Sequence, residues 1–232
     1  MSMTGVLVNT GTILVGSAVG LLFKKGIPER VTNAVMIGLG LCTLYIGIDG
    51  ALQDENVLIV IASMVLGAIV GTLLDIDGAI NRLGKWIEGK FQKQEGGKVS
   101  VAEGFVTASL LFCVGAMTIN GSLNAGISGD NRLLFTKSML DLFSSIMLTA
   151  SLGFGVMLSA VFVLVFQGAL VLLAGALAPV LTPLAIAEMT SAGSLIIVAI
   201  ATNLIGVTKI KVADYLPAIV FAPIICWIVS LF

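Results

Sequence analysis

The feature that most constrains this chain is a succession of long apolar stretches separated by short polar ones. A helix needs about 20 apolar residues to cross a hydrocarbon core about 30 Å thick. Eight windows of the sequence meet this requirement, approximately residues 4–23, 32–51, 56–74, 102–121, 133–152, 154–178, 188–207 and 214–232. The gaps between the last four windows are short, so a count of seven is the alternative. The pattern predicts an all-α polytopic membrane protein in which residues 1–232 form a single integral membrane domain.

Composition supports this prediction and excludes several functional classes. Of the 232 residues, 58% are hydrophobic and 11% are charged, which is too apolar for a soluble domain with a polar surface. A net charge of −1 argues against a nucleic-acid partner. Histidine is absent, which excludes imidazole catalysis and histidine metal ligands, and the three cysteines all lie in apolar segments. We therefore expect no cofactor, and the sequence does not indicate a metal.

The positions of the basic residues predict how the chain is oriented. Cytoplasmic loops of membrane proteins are enriched in Lys and Arg. If the N-terminus lies outside, ten of the twelve basic residues fall in inside loops: Lys24, Lys25, Arg30, Arg82, Lys85, Lys90, Lys93, Lys98, Lys209 and Lys211. The longest of these loops, residues 76–98, repeats apolar residues at helical spacing, which predicts an amphipathic helix on the cytoplasmic surface. A solvated linker is the alternative.

Two pairs of segments indicate an internal repeat. "GSAVGLLFKKGI" (16–27) is echoed by "GAIVGTLLDIDG" (67–78), and "LCTLYIGIDGAL" (41–52) by "FCVGAMTINGSL" (112–123). The echoes predict that a helical hairpin, residues 4–52, is repeated at 56–123 and followed by a second half, 133–232. A weaker echo between residues 32–48 and 190–207 suggests an inverted repeat, an arrangement that many secondary transporters share. The glycines of these segments are expected to serve close helix packing.

Lys137 and Asp141 are the strongest candidates for a functional site. They are four residues apart in the fifth window, so they share one face of a helix. Counted from Leu133 at a rise of about 1.5 Å per residue, Asp141 lies about 12 Å inside the membrane. An acid at that depth costs at least about 2.5 kcal/mol, so it should face a partner, the bundle interior or a wet cavity. A structural ion pair with Lys137 is the alternative to an ion or proton site.

Further polar residues extend the predicted substrate or ion pathway. They are Ser144 and Ser145 near the Asp141 face, Gln167 in the middle of the sixth window and Asn120 at the outer end of the fourth. Interhelical hydrogen bonds are the structural alternative for each of them. Pro217 and Pro223 fall in the last window, where they are expected to kink or break the helix.

The sequence contains no motif that indicates an enzyme. "GAINRLGKW" lacks the spacing of a phosphate-binding loop, and neither a Gly-x-Ser-x-Gly elbow nor a His-Glu-x-x-His helix is present. We therefore expect no enzymatic activity. The least favoured alternative is a lipid-directed enzyme that uses Glu103 or Asp130.

The ordered runs "GFVTASLLFCVGAMTINGSLNAGISGD", "TKSMLDLFSS", "VFQGALVLLAG" and "KIKVADYLPAIVFAP" resemble the YqgA/YdfK-like family. The resemblance covers nearly the whole chain and implies a multi-pass protein of the bacterial inner membrane, without implying a substrate or site residues. Separately, "VTNAVMIGLGLCTLYIGI" resembles glycine-rich spans of LysE-like and manganese-efflux permeases.

The leading functional hypothesis is a small secondary transporter or ion permease, coupled to a cation or proton through the intramembrane carboxylate. Its expected partners are the lipid bilayer, a small ion or small-molecule substrate, and further copies of itself in a homo-oligomer. The alternative is a membrane-embedded interaction or regulatory subunit without transport activity.

Overall fold

The computed structural model describes residues 2–24, 29–91, 100–114 and 116–230, except for some side chains, mainly in the second and fourth helices. Across these residues the chain is helical apart from short connections and contains no strand. The helices are α1 (Thr4–Lys24), α2 (Glu29–Ala51), α3 (Val57–Leu73), α4 (Ile76–Phe91), α5 (Val101–Cys113), α6 (Ala116–Ile127), α7 (Arg132–Leu152), α8 (Gly155–Leu172), α9 (Ala174–Leu177), α10 (Pro183–Ile205) and α11 (Ala218–Val229), with a 3-10 turn at Val212–Tyr215 before α11.

The predicted all-α membrane class is confirmed. The structure gives fewer candidate spans than the eight that the sequence predicts. Among the described residues, five helices are long and apolar enough to cross a membrane: α1, α7, α8, α10, and α11 with its 3-10 turn. The count rises to seven if α3–α4, bent by 52°, and α5–α6, bent by 61°, each form one broken span. The remaining predicted span, residues 32–51, corresponds to α2. Some side chains of α2 are not described, so the count of eight stays a prediction.

Local sequence signals set several helix boundaries. Thr182 caps α10 by accepting a hydrogen bond from the Ala185 amide, and Pro183 occupies the first turn, where its missing N–H costs nothing. The same helix ends at Gly206, whose φ of +85° is a left-handed conformation that favours glycine. Asn56 caps α3 by accepting from the Leu58 amide.

The connections lie at two opposite faces of the bundle. The N-terminal face contains residues 2–3, 52–56, 128–131 and 173–182, and the α4 face contains α4, residues 153–154 and residues 206–212. At the N-terminal face the Ser2 amide donates to the Ala125 carbonyl at 2.9 Å, and the Gly5 amide donates to Asn131 Oδ1 at 3.0 Å. Which face is cytoplasmic remains a prediction from the charges.

Packing divides the helices into two groups. The first helix group consists of α1 and α5–α9, and the second of α2, α3, α10, the 3-10 turn and α11. In the first group α1 packs most extensively on α7, and in the second α2 packs most extensively on α10. Between the groups, α10 meets α5 and α6, while α4 bridges α5 and the 3-10 turn.

Glycines allow the closest contacts within each group. A side-chain carbon at Gly20 of α1 would lie 2.5 Å from the Ile146 carbonyl of α7, and one at Gly67 of α3 would lie 2.5 Å from the Ala218 amide of α11. One at Gly47 of α2 would lie 2.9 Å from the Val198 amide of α10. Helix backbones therefore touch where the sequence predicted glycine-mediated packing.

The segment predictions have mixed outcomes. The predicted surface segment 76–98 is a helix over Ile76–Phe91, while residues 92–99 lie outside the described residues, and its place on a membrane surface stays a prediction. Since α1 and α2 pack mainly on α7 and α10, the repeat also stays a sequence-level prediction. Pro217 precedes α11 and only Pro223 lies inside it.

The largest apolar cluster lies where the two groups meet. It combines Ile13 of α1 and Phe112 of α5 with Ile196 and Ile200 of α10, each no more than 2% exposed. Side chains from both groups therefore form one apolar layer, which also includes Leu152, Val156 and Ala213 near the α4 face.

Candidate functional site

Lys137 and Asp141 form a buried ion pair on α7. The Lys137 ammonium donates to both oxygens of the Asp141 carboxylate, at 2.8 and 2.7 Å, and the two residues are 6% and 5% exposed. Their spacing of four residues places both on the helix face that packs inward. Both carboxylate oxygens are satisfied by one fixed cation, which offsets part of the cost of removing the charges from water.

Two buried amides from neighbouring helices complete a polar centre around this pair. Asn9 of α1 donates from Nδ2 to Gln167 Oε1 of α8 at 3.3 Å, and both residues are fully buried. The Asn9 side chain also lies close to the Asp141 carboxylate. Asn9 Oδ1 and Gln167 Nε2 have no hydrogen-bond partner in the described part of the chain. The polar centre, comprising Asn9, Lys137, Asp141 and Gln167, therefore retains one free acceptor and one free donor.

The polar centre lies beside the break between α5 and α6. Val114 in the break has an extended backbone, with φ −81° and ψ 134°. The Phe112 carbonyl, released by the break, accepts from Thr118 Oγ1 at 3.1 Å, and the Lys137 ammonium lies 5.9 Å from the centre of the Phe112 ring. A helix interrupted next to buried charges is the arrangement that transporters use at their binding sites.

The structure brings some of the sequence-predicted site residues together and separates others. Lys137, Asp141 and Gln167 belong to the polar centre. Ser145 is fully buried but donates to its own helix at the Leu142 carbonyl, where α7 meets Gly16 of α1.

Ser144 and Asn120 are both exposed on the bundle. Their side chains form no part of the polar centre, and their place in a substrate or ion pathway stays a prediction.

A cavity of about 440 Å³ opens at the α4 face, between the two helix groups. It is lined by α4, by the first two turns of α5, by the end of α10 and by residues 206–212. Its charged lining residues are Asp77, Glu103, Lys209 and Lys211. The cavity therefore offers both signs of charge above an apolar floor that includes Val106 and Ile200.

Hydrogen bonds fix the wall of this cavity that follows α10. Asn203 Oδ1 accepts from Thr208 Oγ1 at 2.7 Å and from the Ile210 amide at 2.9 Å, and Asn203 Nδ2 donates to the Ile210 carbonyl at 2.8 Å. One side chain thus ties residues 208–210 back onto α10, which holds Lys209 and Lys211 at the cavity rim.

The cavity points toward the polar centre without reaching it. Thr107 of α5 lines the cavity, and Phe112, five residues later, lies against Lys137. At a rise of about 1.5 Å per residue this separation is about 7.5 Å along the helix. The apolar layer that contains Phe112 and Ile200 fills the interval.

Glu188 of α10 is a buried acid that the sequence analysis missed. It is fully buried, and its Oε1 accepts from the amides of Glu55 and Asn56 at 2.9 and 2.7 Å. Its Oε2 has no hydrogen-bond partner among the described residues. The sequence signal was available, because "PLAIAEMTSAG" places a single acid in an otherwise uncharged run. Glu188 is, however, the first residue of the predicted window 188–207, so its position in the sequence does not distinguish an intramembrane acid from one in a loop.

Asp214 of the 3-10 turn is a second buried acid that the sequence analysis missed. It is 5% exposed, and its Oδ1 accepts from the Asp77 amide at 2.9 Å. The described residues contain no group of three or more His, Cys, Asp or Glu side chains that could hold a metal ion. The buried acids are thus separate, single sites.

Comparisons with known proteins place the chain among membrane proteins. A family model described as "Protein of unknown function (DUF554)" matches residues 4–227. The chain is 30% identical over 234 aligned residues to the "Uncharacterized membrane protein YdfK" of Bacillus subtilis (strain 168), covering 99% of this chain and 98% of that protein. It is 27% identical over 220 residues to the "Uncharacterized protein YqgA" of Escherichia coli (strain K12), covering 94% of each.

No solved structure matches the chain significantly. The predicted resemblance to YqgA and YdfK is confirmed. The likeness to LysE-like and manganese-efflux permeases stays a prediction.

Proposed function

The chain belongs to the DUF554 family of proteins of unknown function, and from that premise we propose that it is a small secondary transporter or ion permease that works by alternating access. The observation that carries this proposal is the cavity of about 440 Å³ between the two helix groups, which lies at the α4 face. Relative movement of two packed groups around such a cavity is how many transporters expose a site to each side in turn. A homo-oligomeric assembly and the absence of enzymatic activity are part of the same proposal.

The α4 face is the cytoplasmic one in this proposal. Arg82, Lys85, Lys209 and Lys211 all lie on it, and basic residues concentrate in cytoplasmic loops of bacterial inner-membrane proteins. The structure then corresponds to an inward-facing state, because the cavity opens at the face where these residues lie.

The apolar layer and the polar centre together act as the closed gate. A buried ion pair in a membrane is expensive to maintain, and replacing both partners by apolar residues is often neutral or stabilising. Its presence beside the broken α5–α6 helix supports a role in which movement at this break, inside the first helix group, separates the pair. The unsatisfied Asn9 Oδ1 and Gln167 Nε2 would then take new partners.

The cavity lining supports a small polar solute as the substrate. Glu103 and Lys211 face the same space from opposite groups, and neither side chain forms a described salt bridge. A solute that carries charge, of one sign or of both, would be complemented there.

Transport currents from proteoliposomes on a solid-supported membrane test the proposal. Concentration jumps of amino acids and of monovalent and divalent cations should evoke a current for at least one solute. In a background without the three native cysteines, a bulky thiol reagent on Val212→Cys, inside the cavity, should abolish that current. The same reagent on Ser128→Cys, at the opposite face, should leave it unchanged. Absence of current for every solute, or equal inhibition at both positions, contradicts the proposal.

One observation favours an interaction or regulatory subunit as a second candidate. The Lys137 and Asp141 charges satisfy each other at 2.7–2.8 Å in dry packing, as a purely structural pair would. In that case Lys137→Met combined with Asp141→Leu should preserve every cellular function of the protein. Under the transport proposal the double variant folds but loses the current.

A further inference from the structure

We propose that the cavity at the α4 face binds a small zwitterion with an apolar side chain, which is the chemistry of a neutral amino acid. Its ammonium group contacts Glu103 and Thr107 of α5, and its carboxylate contacts Lys209 on the opposite wall. This inference names the substrate class of the proposed transporter and therefore rests on the proposed function, although binding can be measured without transport.

The α5 wall of the cavity supplies the acidic end of the site. Glu103 and Thr107 are four residues apart, so both lie on one face of the helix, and both line the cavity. In the described part of the chain, nothing forms a salt bridge or hydrogen bond with the Glu103 carboxylate or with the Thr107 hydroxyl. A free carboxylate beside a free hydroxyl oxygen suits an ammonium group, which has three hydrogens to donate.

Thr107 is the buried member of this acidic end. It is only 2% exposed, and buried hydroxyls in proteins usually have a hydrogen-bond partner. Within helices that partner is commonly a carbonyl of the preceding turn, as it is for Thr10 and Ser138 in this chain. The Thr107 hydroxyl has no such bond and lies at the cavity, so its oxygen is available to a bound solute.

The opposite wall supplies the basic end. Lys209 lies on the segment that Asn203 ties back onto α10, and no described residue forms a salt bridge with its ammonium. Lys211 adds a second positive charge at the same rim, within electrostatic range of Asp77 of α4. Lys209 is therefore the cation that remains for the carboxylate of a solute.

The balance of charges favours a zwitterion over an ion of one sign. The charged lining residues are two acids, Asp77 and Glu103, and two lysines, Lys209 and Lys211. An anion bound at Lys209 would leave the Glu103 charge without a partner where the solute has displaced water, and a cation bound at Glu103 would do the same to Lys209. A solute that carries both charges satisfies both walls at once.

The apolar floor determines the rest of the solute. Val106 of α5 and Ile200 of α10 are both buried, and Ile80 of α4 lines the same space. Ligand sites typically combine an apolar lining with a few polar groups that fix the orientation of the ligand. An aliphatic side chain would cover this floor, whereas a polar one would lose its hydrogen bonds to water there.

A bound zwitterion would connect the two helix groups. Glu103 and Thr107 belong to the first group, whereas Lys209 follows α10 of the second. A ligand that contacts both groups favours the conformations in which they lie closer together. A solute without one of the two charges would hold only one group, so the zwitterion gives the proposed transporter a means to couple loading with closure.

Equilibrium binding to the purified full chain in detergent, measured by calorimetry, tests the proposal without transport. L-Leucine should bind. Isopentylamine, which is leucine without its carboxylate, and 4-methylpentanoate, which is leucine without its amino group, should each bind about tenfold more weakly or worse, because each loses a charged hydrogen-bond partner. Glycine, which has both charges and no side chain, should also bind more weakly than leucine.

Matched variants test which residue holds which charge. Glu103→Gln should weaken leucine binding about tenfold and leave the binding of 4-methylpentanoate unchanged, whereas Lys209→Met should weaken leucine binding equally and leave that of isopentylamine unchanged. Both variants should still saturate at higher leucine concentrations, because the other contacts persist. Glu55→Gln, at the N-terminal face, and Lys85→Met, an exposed position of α4 outside the cavity lining, should bind leucine like the wild type.

Three results would overturn the proposal. They are the absence of leucine binding to the wild type, equal affinities for leucine and either single-charge analogue, and losses of leucine affinity in Glu55→Gln or Lys85→Met as large as in the cavity variants. If leucine binds in the expected pattern but no solute evokes a current in proteoliposomes, the zwitterion site stands and the transport function falls. If another solute evokes a current and leucine does not bind, the transport function stands and the zwitterion site falls.

Discussion

At the scale of single residues, the buried acids in the described part of the chain use two kinds of partner. Asp141 is neutralised by Lys137, whereas Glu188 and Asp214 rely on backbone amides. A side-chain cation saturates both oxygens of a carboxylate, and the amides occupy only one. The three acids are therefore held in the fold by two different kinds of donor.

The Lys137–Asp141 pair gives a prediction about stability. Lys137→Met alone should destabilise the protein by about 3–5 kcal/mol, because it leaves the Asp141 charge buried without a partner. Lys137→Met with Asp141→Leu should restore stability to near the wild-type value. Thermal unfolding in detergent, followed by loss of monodisperse protein, measures both variants. A double variant as unstable as the single one would show that the pair stabilises the fold itself.

The same residues show what sequence can reveal about a site. The pairing of Lys137 with Asp141 follows from their spacing on one helix. The meeting of Asn9 with Gln167 depends on which helices are neighbours, and no periodicity within either segment encodes it. Glu188 resembles the Lys137–Asp141 pair in one respect, because a lone acid in an apolar run is visible in the sequence. Its partners are not visible there, because they are backbone amides of a distant turn.

At the scale of helices, glycine positions determine which helices pack closely. Gly16 and Gly20 of α1 face α7, whereas Gly11 of the same helix faces open space, with no atom within 4 Å of an added side-chain carbon. The spacing of the first two glycines predicted a packing face, although not the partner. The partner could not be predicted because α7 begins more than a hundred residues later in the sequence.

The contrast between Gly20 and Gly11 gives a matched pair of variants. Gly20→Leu should separate α1 from α7 and lower the unfolding temperature strongly, because its side chain would meet the Ile146 carbonyl at 2.5 Å. Gly11→Leu should be tolerated, and should even be mildly stabilising since leucine favours a helix more than glycine does. The unfolding temperatures of the two variants, measured in the same detergent, decide the prediction. Equal losses would contradict the proposed packing face.

The break between α5 and α6 was not predicted. The sequence indicates one continuous span over 102–121, since apolar character persists and no proline interrupts it. In the structure the backbone of Val114 is extended. The Val114 side chain packs closely on Gly193 of α10, where an added side-chain carbon would lie 2.5 Å from it. Two contacts accompany the break: the packing against α10 and the hydrogen bond from Thr118 to the Phe112 carbonyl. The helix preferences of the local sequence do not predict either contact.

At the scale of the whole molecule, orientation and mechanism are linked. The cavity opens at the α4 face, so the charge pattern that places this face in the cytoplasm also makes the structure inward-facing. In intact cells an impermeant thiol reagent should label Ser128→Cys, and it should label Lys209→Cys only after the membrane is opened. Labelling with the opposite pattern would reverse both the topology and the direction in which the cavity faces.

Joining the two helix groups across the cavity should stop transport while leaving the fold intact. Glu103→Cys lies on α5 of the first group, and Lys209→Cys lies on the segment that Asn203 ties to α10 of the second. A bifunctional thiol reagent with a disulfide in its spacer prevents the groups from moving apart, so the proteoliposome current should disappear and should return when a reductant cleaves that disulfide. Phe105→Cys with Phe162→Cys is the matched control, because these ring centres lie 6.0 Å apart within the first group. If both cross-links stop the current equally, movement between the groups is not the transport step.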